Sequence, residues 1–198
     1  MPETSAALDA LILQLAAEDP SRREKAAAEL FRRGCAAAEP VLKTWFADPE
    51  FRALVRSGPG LLTVGIAVSP ERFAELHRRF GAPRLSEVPP DLDAREFELS
   101  FTHGVRLDIL TTRDAGGAGA IARFLTRSGE GIQQVECEVR DISRATQLLR
   151  ERFSLEPIYP EPRLGADGTR VNFVLAAAAE GRKVLIELVK VPSKKKTK

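Results

Sequence analysis

The chain writes one strand–helix–strands unit twice, and this duplication limits its fold more than any other feature. The first copy opens on the apolar run Thr63-Val-Gly-Ile-Ala-Val68 and the second on Gln134-Val-Glu-Cys-Glu-Val139. An amphipathic helical stretch follows in each, ending on His77-Arg-Arg-Phe-Gly81 and Arg150-Glu-Arg-Phe-Ser154. Each copy closes on a β-rich run with an acid at the same place, Val105-Arg-Leu-Asp-Ile-Leu110 and Val184-Leu-Ile-Glu-Leu-Val189. Side chains alternate faces along a strand. A polar residue on each first strand and an acid on each last strand can therefore converge as four groups in one cavity.

The flanking sequence has a different texture. Residues 5–56 read as helices: Leu8, Leu11, Ile12 and Leu15 recur at helical spacing, and Asp19-Pro20-Ser21 stops one helix and caps the next. The spacing predicts a helix from Arg22 to Arg33 ended by Gly34, then another from Ala37 to Phe46. Asp-Pro-x-x-Arg, Ala-Ala-Ala-Glu-Leu and a following apolar helix resemble a HEAT-type repeat. Little more than one repeat is present, and a solenoid needs about three, so a helical arm packed on the next part is the favoured reading. Ser57-Gly-Pro-Gly60 breaks the pattern, giving expected units of 1–57, 61–191 (copies 61–112 and 131–191) and a basic disordered tail, 192–198. Strands are expected at 61–68, 95–102, 105–111, 132–139, 155–160, 169–175 and 182–190, with helices at 70–80, 120–127 and 141–153. The stretch from Arg84 to Asp93 reads as a loop or edge segment.

Composition excludes several classes of function. With 30 basic and 28 acidic residues the net charge is +2, so no global field draws the protein to nucleic acid or to a membrane surface. No apolar run approaches spanning length, and the first residues lack the basic flank and apolar core of a signal peptide. Two distant cysteines, Cys35 and Cys137, make neither a disulfide framework nor a zinc spacing, and Cys137 is expected to be a buried thiol. The expected location is cytoplasmic.

Five segments in register carry a family resemblance: Leu-Thr-Val-Gly-Ile-Ala-Val (62–68), Ile-Ala-Arg-Phe-Leu (121–125), Gly-Glu-Gly-Ile-Gln-Gln-Val (129–135), Glu-Pro-Arg-Leu-Gly-Ala-Asp-Gly (161–168) and Val-Leu-Ile-Glu-Leu-Val (184–189). From about Leu61 to Val191 the chain resembles the methylmalonyl-CoA epimerase branch of the vicinal-oxygen-chelate, or glyoxalase, superfamily. The resemblance implies an α+β fold, two βαβββ modules forming a half-barrel cavity, preceded here by a small all-α segment. It also implies a divalent metal in that cavity, stabilising an enediolate formed when a carboxylate removes the proton beside a carbonyl or thioester.

The four ligand places implied by the resemblance fall on Thr63, Asp108, Gln134 and Glu187. The family usually has histidine where Thr63 and Gln134 stand, and glutamate or glutamine at the place of Asp108. A hydroxyl and an amide bind transition metals far less well than imidazole, so the expected cofactor is none, or a weakly held divalent metal. Alternation places Gly65 and Ala67 beside Thr63, and Glu136 and Glu138 beside Gln134. Glu136 stands where the family has a small residue, either as a replacement ligand in an oxygen-rich set suited to Mg²⁺, Ca²⁺ or Mn²⁺, or, favoured, paired with Arg106 or another basic group of the cavity. Glu187 and Glu98 are the candidate catalytic bases. Both histidines read as surface residues.

Three functions follow as expectations. The first is a divergent glyoxalase-like protein with a small-molecule or acyl-CoA-type pocket and a degraded metal site. The second is a metal-dependent isomerase or lyase, an epimerase of a 2-acyl thioester with a rebuilt carboxylate site. The third is a protein-interaction module acting through the N-terminal helices. A homodimer is compatible with all three.

Overall fold

A computed structural model describes residues 5–56, 61–178 and 183–192. The boundary expected at Ser57-Gly-Pro-Gly60 and the lysine tail from Ser193 lie outside the described residues. Seven strands form one curled sheet: β1 (Leu62–Ala67), β2 (Ala94–Ser100), β3 (Arg106–Thr112), β4 (Gly131–Glu138), β5 (Arg163–Leu164), β6 (Arg170–Ala177) and β7 (Lys183–Lys190), in the order β2-β3-β1-β4-β7-β6-β5. Both copies share one layout. In each, the first strand pairs in parallel with the last, β1 with β3 and β4 with β7, and the copies join through antiparallel β1 and β4. The duplicated sequence thus gives a duplicated half-sheet, and the α+β half-barrel implied by the family resemblance is present.

One strand expectation changes. Residues 155–160 are not a strand, and the pairing begins at the two-residue β5. Pro157, Pro160 and Pro162 remove backbone donors from this stretch, which bars a regular ladder. In the first copy the stretch before β2, holding Pro89 and Pro90, is a loop with one short 3₁₀ turn at Pro90–Leu92.

Among the described residues, six helices accompany the sheet: α1 (Ser5–Leu15), α2 (Pro20–Ala47), α3 (Pro49–Leu54), α4 (Pro70–Arg79), α5 (Ala120–Ser128) and α6 (Ile142–Phe153). Asp19 caps α2 by accepting the Ser21 amide at 2.9 Å, as its sequence suggests. The break expected at Gly34 is absent, and α2 continues unbroken to Ala47. The two short helices of a HEAT-type unit are therefore one rod. Glycine costs a helix about 1 kcal/mol relative to alanine, and its role at this position is space rather than termination. A Cβ on Gly34 would stand 2.5 Å from Val64 Cγ1, so α2 can lie directly on β1.

The rod spans both copies. Near its start Glu24 accepts the Thr102 amide at 3.1 Å, and Arg23 sits 5.5 Å from the centre of the Phe80 ring, both partners in the first copy. Near its end Trp45 packs on Phe51 at 5.4 Å and on Phe153 of α6 at 6.3 Å, while Arg144 of α6 holds Glu50 at 2.5 Å. One hydrophobic core results, running from Ile12, Leu15, Leu30 and Trp45 to Val64, Ile66, Val135 and Ile186.

The other face of the sheet is concave, and its two edges are strapped together. Edge strands β2 and β5 stand at opposite ends of the strand order, yet the loop before β2 reaches the turn after β5. Arg84 donates to both oxygens of Asp167, at 3.0 and 2.9 Å. The Glu87 amide donates to Asp167 Oδ1 at 2.9 Å, the Asp167 amide donates to the Glu87 carbonyl at 3.1 Å, and Arg163 pairs with Asp91.

Candidate functional site

Five of the expected site residues share the concave face of the four central strands. Thr63 lies opposite Glu136, which lies beside Glu187; Asp108 lies beside Gly65, which lies opposite Gln134. Thr63, Asp108, Gln134 and Glu187 are each at least 92 % buried, and Glu136 is partly buried. Glu98 lies opposite Asp108 on edge strand β2, but it is exposed and held by Arg106 at 2.5 Å.

A β-bulge sets the position of Gln134. Gly65 pairs with Gln134, whereas the next residue, Ile66, pairs with Ile132, leaving Gln133 as the extra residue. Gln133 Oε1 is buried without a hydrogen-bond partner. Gly65 is glycine because Gln134 lies across it: a Cβ there would stand 2.7 Å from Gln134 Cγ. Pressed against β1, the Gln134 amide donates from Nε2 to Glu187 Oε2 at 2.5 Å. It also hydrogen-bonds Glu136, whose charge is further eased by Arg106.

Burial and mutual repulsion set the electrostatics. Burial holds Asp108 and Glu187 well above the usual carboxylate range, and the neighbouring Glu96 and Glu136 raise both further. Glu136 is pushed up to about 7 by burial, against the Gln134 hydrogen bond and Arg106. Glu96 is pushed up to about 8 by burial and by the charges of Glu136 and Asp167. These acids titrate together, and near neutral pH the cluster retains protons. Glu96 was not among the expected site residues. Its signal lay in the alternating run Glu96-Phe-Glu-Leu-Ser, which puts Glu96 and Glu98 on one face. The strap separates them, since Asp167 stands near Glu96 and not at the exposed end of β2.

An apolar patch adjoins the acids. Ala67, Val88, Ala94, Leu110 and Ile121 form a second buried cluster, with Leu92, Phe124 and Ala166 packed against it. The concave side is therefore acidic in one part and apolar in the next. The histidines are elsewhere. His103 sits exposed in a left-handed turn, as expected. His77 is not a free surface residue: its Nε2 lies 2.8 Å from the Pro83 carbonyl, and its ring packs on Phe97 at 5.3 Å. Cys137 is fully buried, and burial pushes its thiol up to about 12.

No family model and no curated protein matches this sequence. Solved structures do. Methylmalonyl-CoA epimerase from Mycobacterium tuberculosis is 30 % identical over 70 % of this chain and 95 % of its own, with a TM-score of 0.55. The chain belongs to the vicinal-oxygen-chelate superfamily. A point variant of Streptomyces coelicolor methylmalonyl-CoA epimerase, in complex with 2-nitronate-propionyl-CoA, shares the fold at 23 % identity over 71 % of this chain and 99 % of its own, with a TM-score of 0.54. A hypothetical protein from Bacillus halodurans does so at 24 % identity over 67 % of this chain and 94 % of its own, also at 0.54.

The vicinal-oxygen-chelate fold implies a metal in the cavity, and the residues present do not fit one. Among the described residues no three of the histidine, cysteine, aspartate and glutamate side chains are disposed to hold an ion. At the Gln134 place the amide turns a donor, not an acceptor, toward Glu187. Thr63 offers a neutral hydroxyl, a weak ligand for a transition ion. No helix among the described residues is long and apolar enough to cross a membrane.

Proposed function

We propose that this protein is a divergent glyoxalase-like binder whose concave face takes a small polar molecule or an acyl thioester, without metal-dependent catalysis. The observation that carries this reading is the Gln134–Glu187 hydrogen bond, in which an amide donor meets a carboxylate where a cation would otherwise join two ligands. A divalent ion would enter weakly, competing with that hydrogen bond.

A second reading, a metal-free or weakly metal-assisted isomerase, is favoured by Glu136 at about 7 and Glu96 at about 8. A general base works best with a pKa near the working pH. Glu187 remains the candidate base nearest the amide donor, which would stabilise its charged form after the proton leaves. The N-terminal helices rank lower as a partner surface, because Leu30, Leu42 and Trp45 of α2 are buried.

Two measurements on the purified protein distinguish these readings. Metal analysis is expected to find no stoichiometric Zn, Fe, Co or Ni, and retention of one equivalent overturns the proposal. Deuterium exchange into methylmalonyl-CoA is expected to stay at the solvent rate. Exchange that is abolished by Glu187→Gln establishes the isomerase instead.

A further inference from the structure

A cavity of about 370 Å³ lies at the ends of β4 and β7, lined by Arg56, Glu138, Arg140, Lys190 and the intervening Val139, with Val191 and Pro192. It exists because the N-terminal segment crosses the sheet. Val55 bridges Val139 antiparallel, the Arg56 amide donates to the Glu138 carbonyl at 3.2 Å, and the Arg140 amide donates to the Leu54 carbonyl at 2.8 Å. This crossing brings Arg56 to the ends of β4 and β7, where Arg140 and Lys190 already stand.

The charge balance of the lining is three cations against one carboxylate. Arg56 holds Glu138 at 2.5 Å, while among the described residues neither Arg140 nor Lys190 has an ion-pair partner. A volume near 370 Å³ suits a small molecule. Guanidinium forks match phosphate oxygens better than a lone ammonium does. An extended polyanion is disfavoured because Glu138 stands inside the cavity and the chain's overall charge is near zero.

We propose that this cavity is a binding site for a small phosphorylated molecule, held by Arg140 and Lys190, with Arg56 released from Glu138 to complete the grip. Nothing in it depends on the ligand of the concave face.

Pyrophosphate serves as the probe, followed by calorimetry on the full chain. Saturable one-to-one binding is expected, weakened at least tenfold in the double variant Arg140→Glu/Lys190→Glu. Both side chains are exposed, and circular dichroism checks that the variant is folded. Glu138→Gln is expected to tighten binding severalfold, an effect that a merely structural Glu138 would not give. Absence of saturable binding, or equal affinity in the double variant, overturns the proposal.

Discussion

Gln134 and Glu187 stand on neighbouring strands of the second copy and meet through a 2.5 Å hydrogen bond, at two of the places where the family resemblance implies metal ligands. On the proposed reading the amide stands in for an imidazole and for the ion it would hold. Restoring the imidazoles is therefore informative. The double variant Thr63→His/Gln134→His retains Asp108 and Glu187, giving two imidazoles and two carboxylates on one face. It is expected to bind Co²⁺ at least tenfold more tightly than the parent chain in a competition titration. Equal affinity would show that the strand geometry, not the side chains, disfavours the ion.

The acid cluster sets an unusual pH dependence. Glu136 and Glu96 titrate near 7 and 8 in the folded chain against 4.5 when unfolded. Between those values the folded state binds more protons, so stability falls as pH rises. Their contribution is fully present below pH 4.5 and is lost through pH 7 to 8. The expected loss between about pH 5 and pH 8.5 is on the order of 1–3 kcal/mol, read as a lower Tm. Glu136→Gln should flatten the profile, and a Tm independent of pH across that range would contradict the clustering.

Gly34 is held by contact rather than by chain termination. Gly34→Ala gains about 1 kcal/mol of helix propensity, but its Cβ meets Val64 at 2.5 Å. Overpacking of this kind typically costs about 1–3 kcal/mol, so urea denaturation should show a net loss. Adding Val64→Ala should recover part of that loss, a non-additivity that contact between the two positions requires.

The strap should matter more for access than for stability. Arg84 and Asp167 are exposed enough that their pair contributes about 0–1 kcal/mol. Asp167→Asn is therefore expected to leave Tm within a few degrees while speeding hydrogen exchange at backbone amides of β2. Removing the charge near Glu96 should also lower the pH at which that acid titrates, readable by NMR.

Much of this arrangement was legible in the sequence because it rests on alternation. The faces of Thr63, Gln134, Glu136 and Glu187 follow from period-two strands, and the cap at Asp19 follows from its neighbours. The bulge at Gln133 was hidden, although the doubled Gln133-Gln134 interrupts the apolar alternation between Ile132 and Val135. The continuity of α2 through Gly34 could not be read locally, since the reason for that glycine is Val64, thirty residues away. Glu96 outranked Glu98 for a similar reason: the strap that buries one and spares the other joins loops more than seventy residues apart.

The rod across the back of the sheet changes what it would mean to divide this chain. It touches the first copy at Thr102 and Phe80 and the second at Phe153, so a nick in the connector near Gly116 leaves both fragments clasped by the same splint. The N-terminal fragment would carry the template on which the other half reassembles. The sequence repeats one unit in two halves, and the helix that spans them is covalently joined to only one.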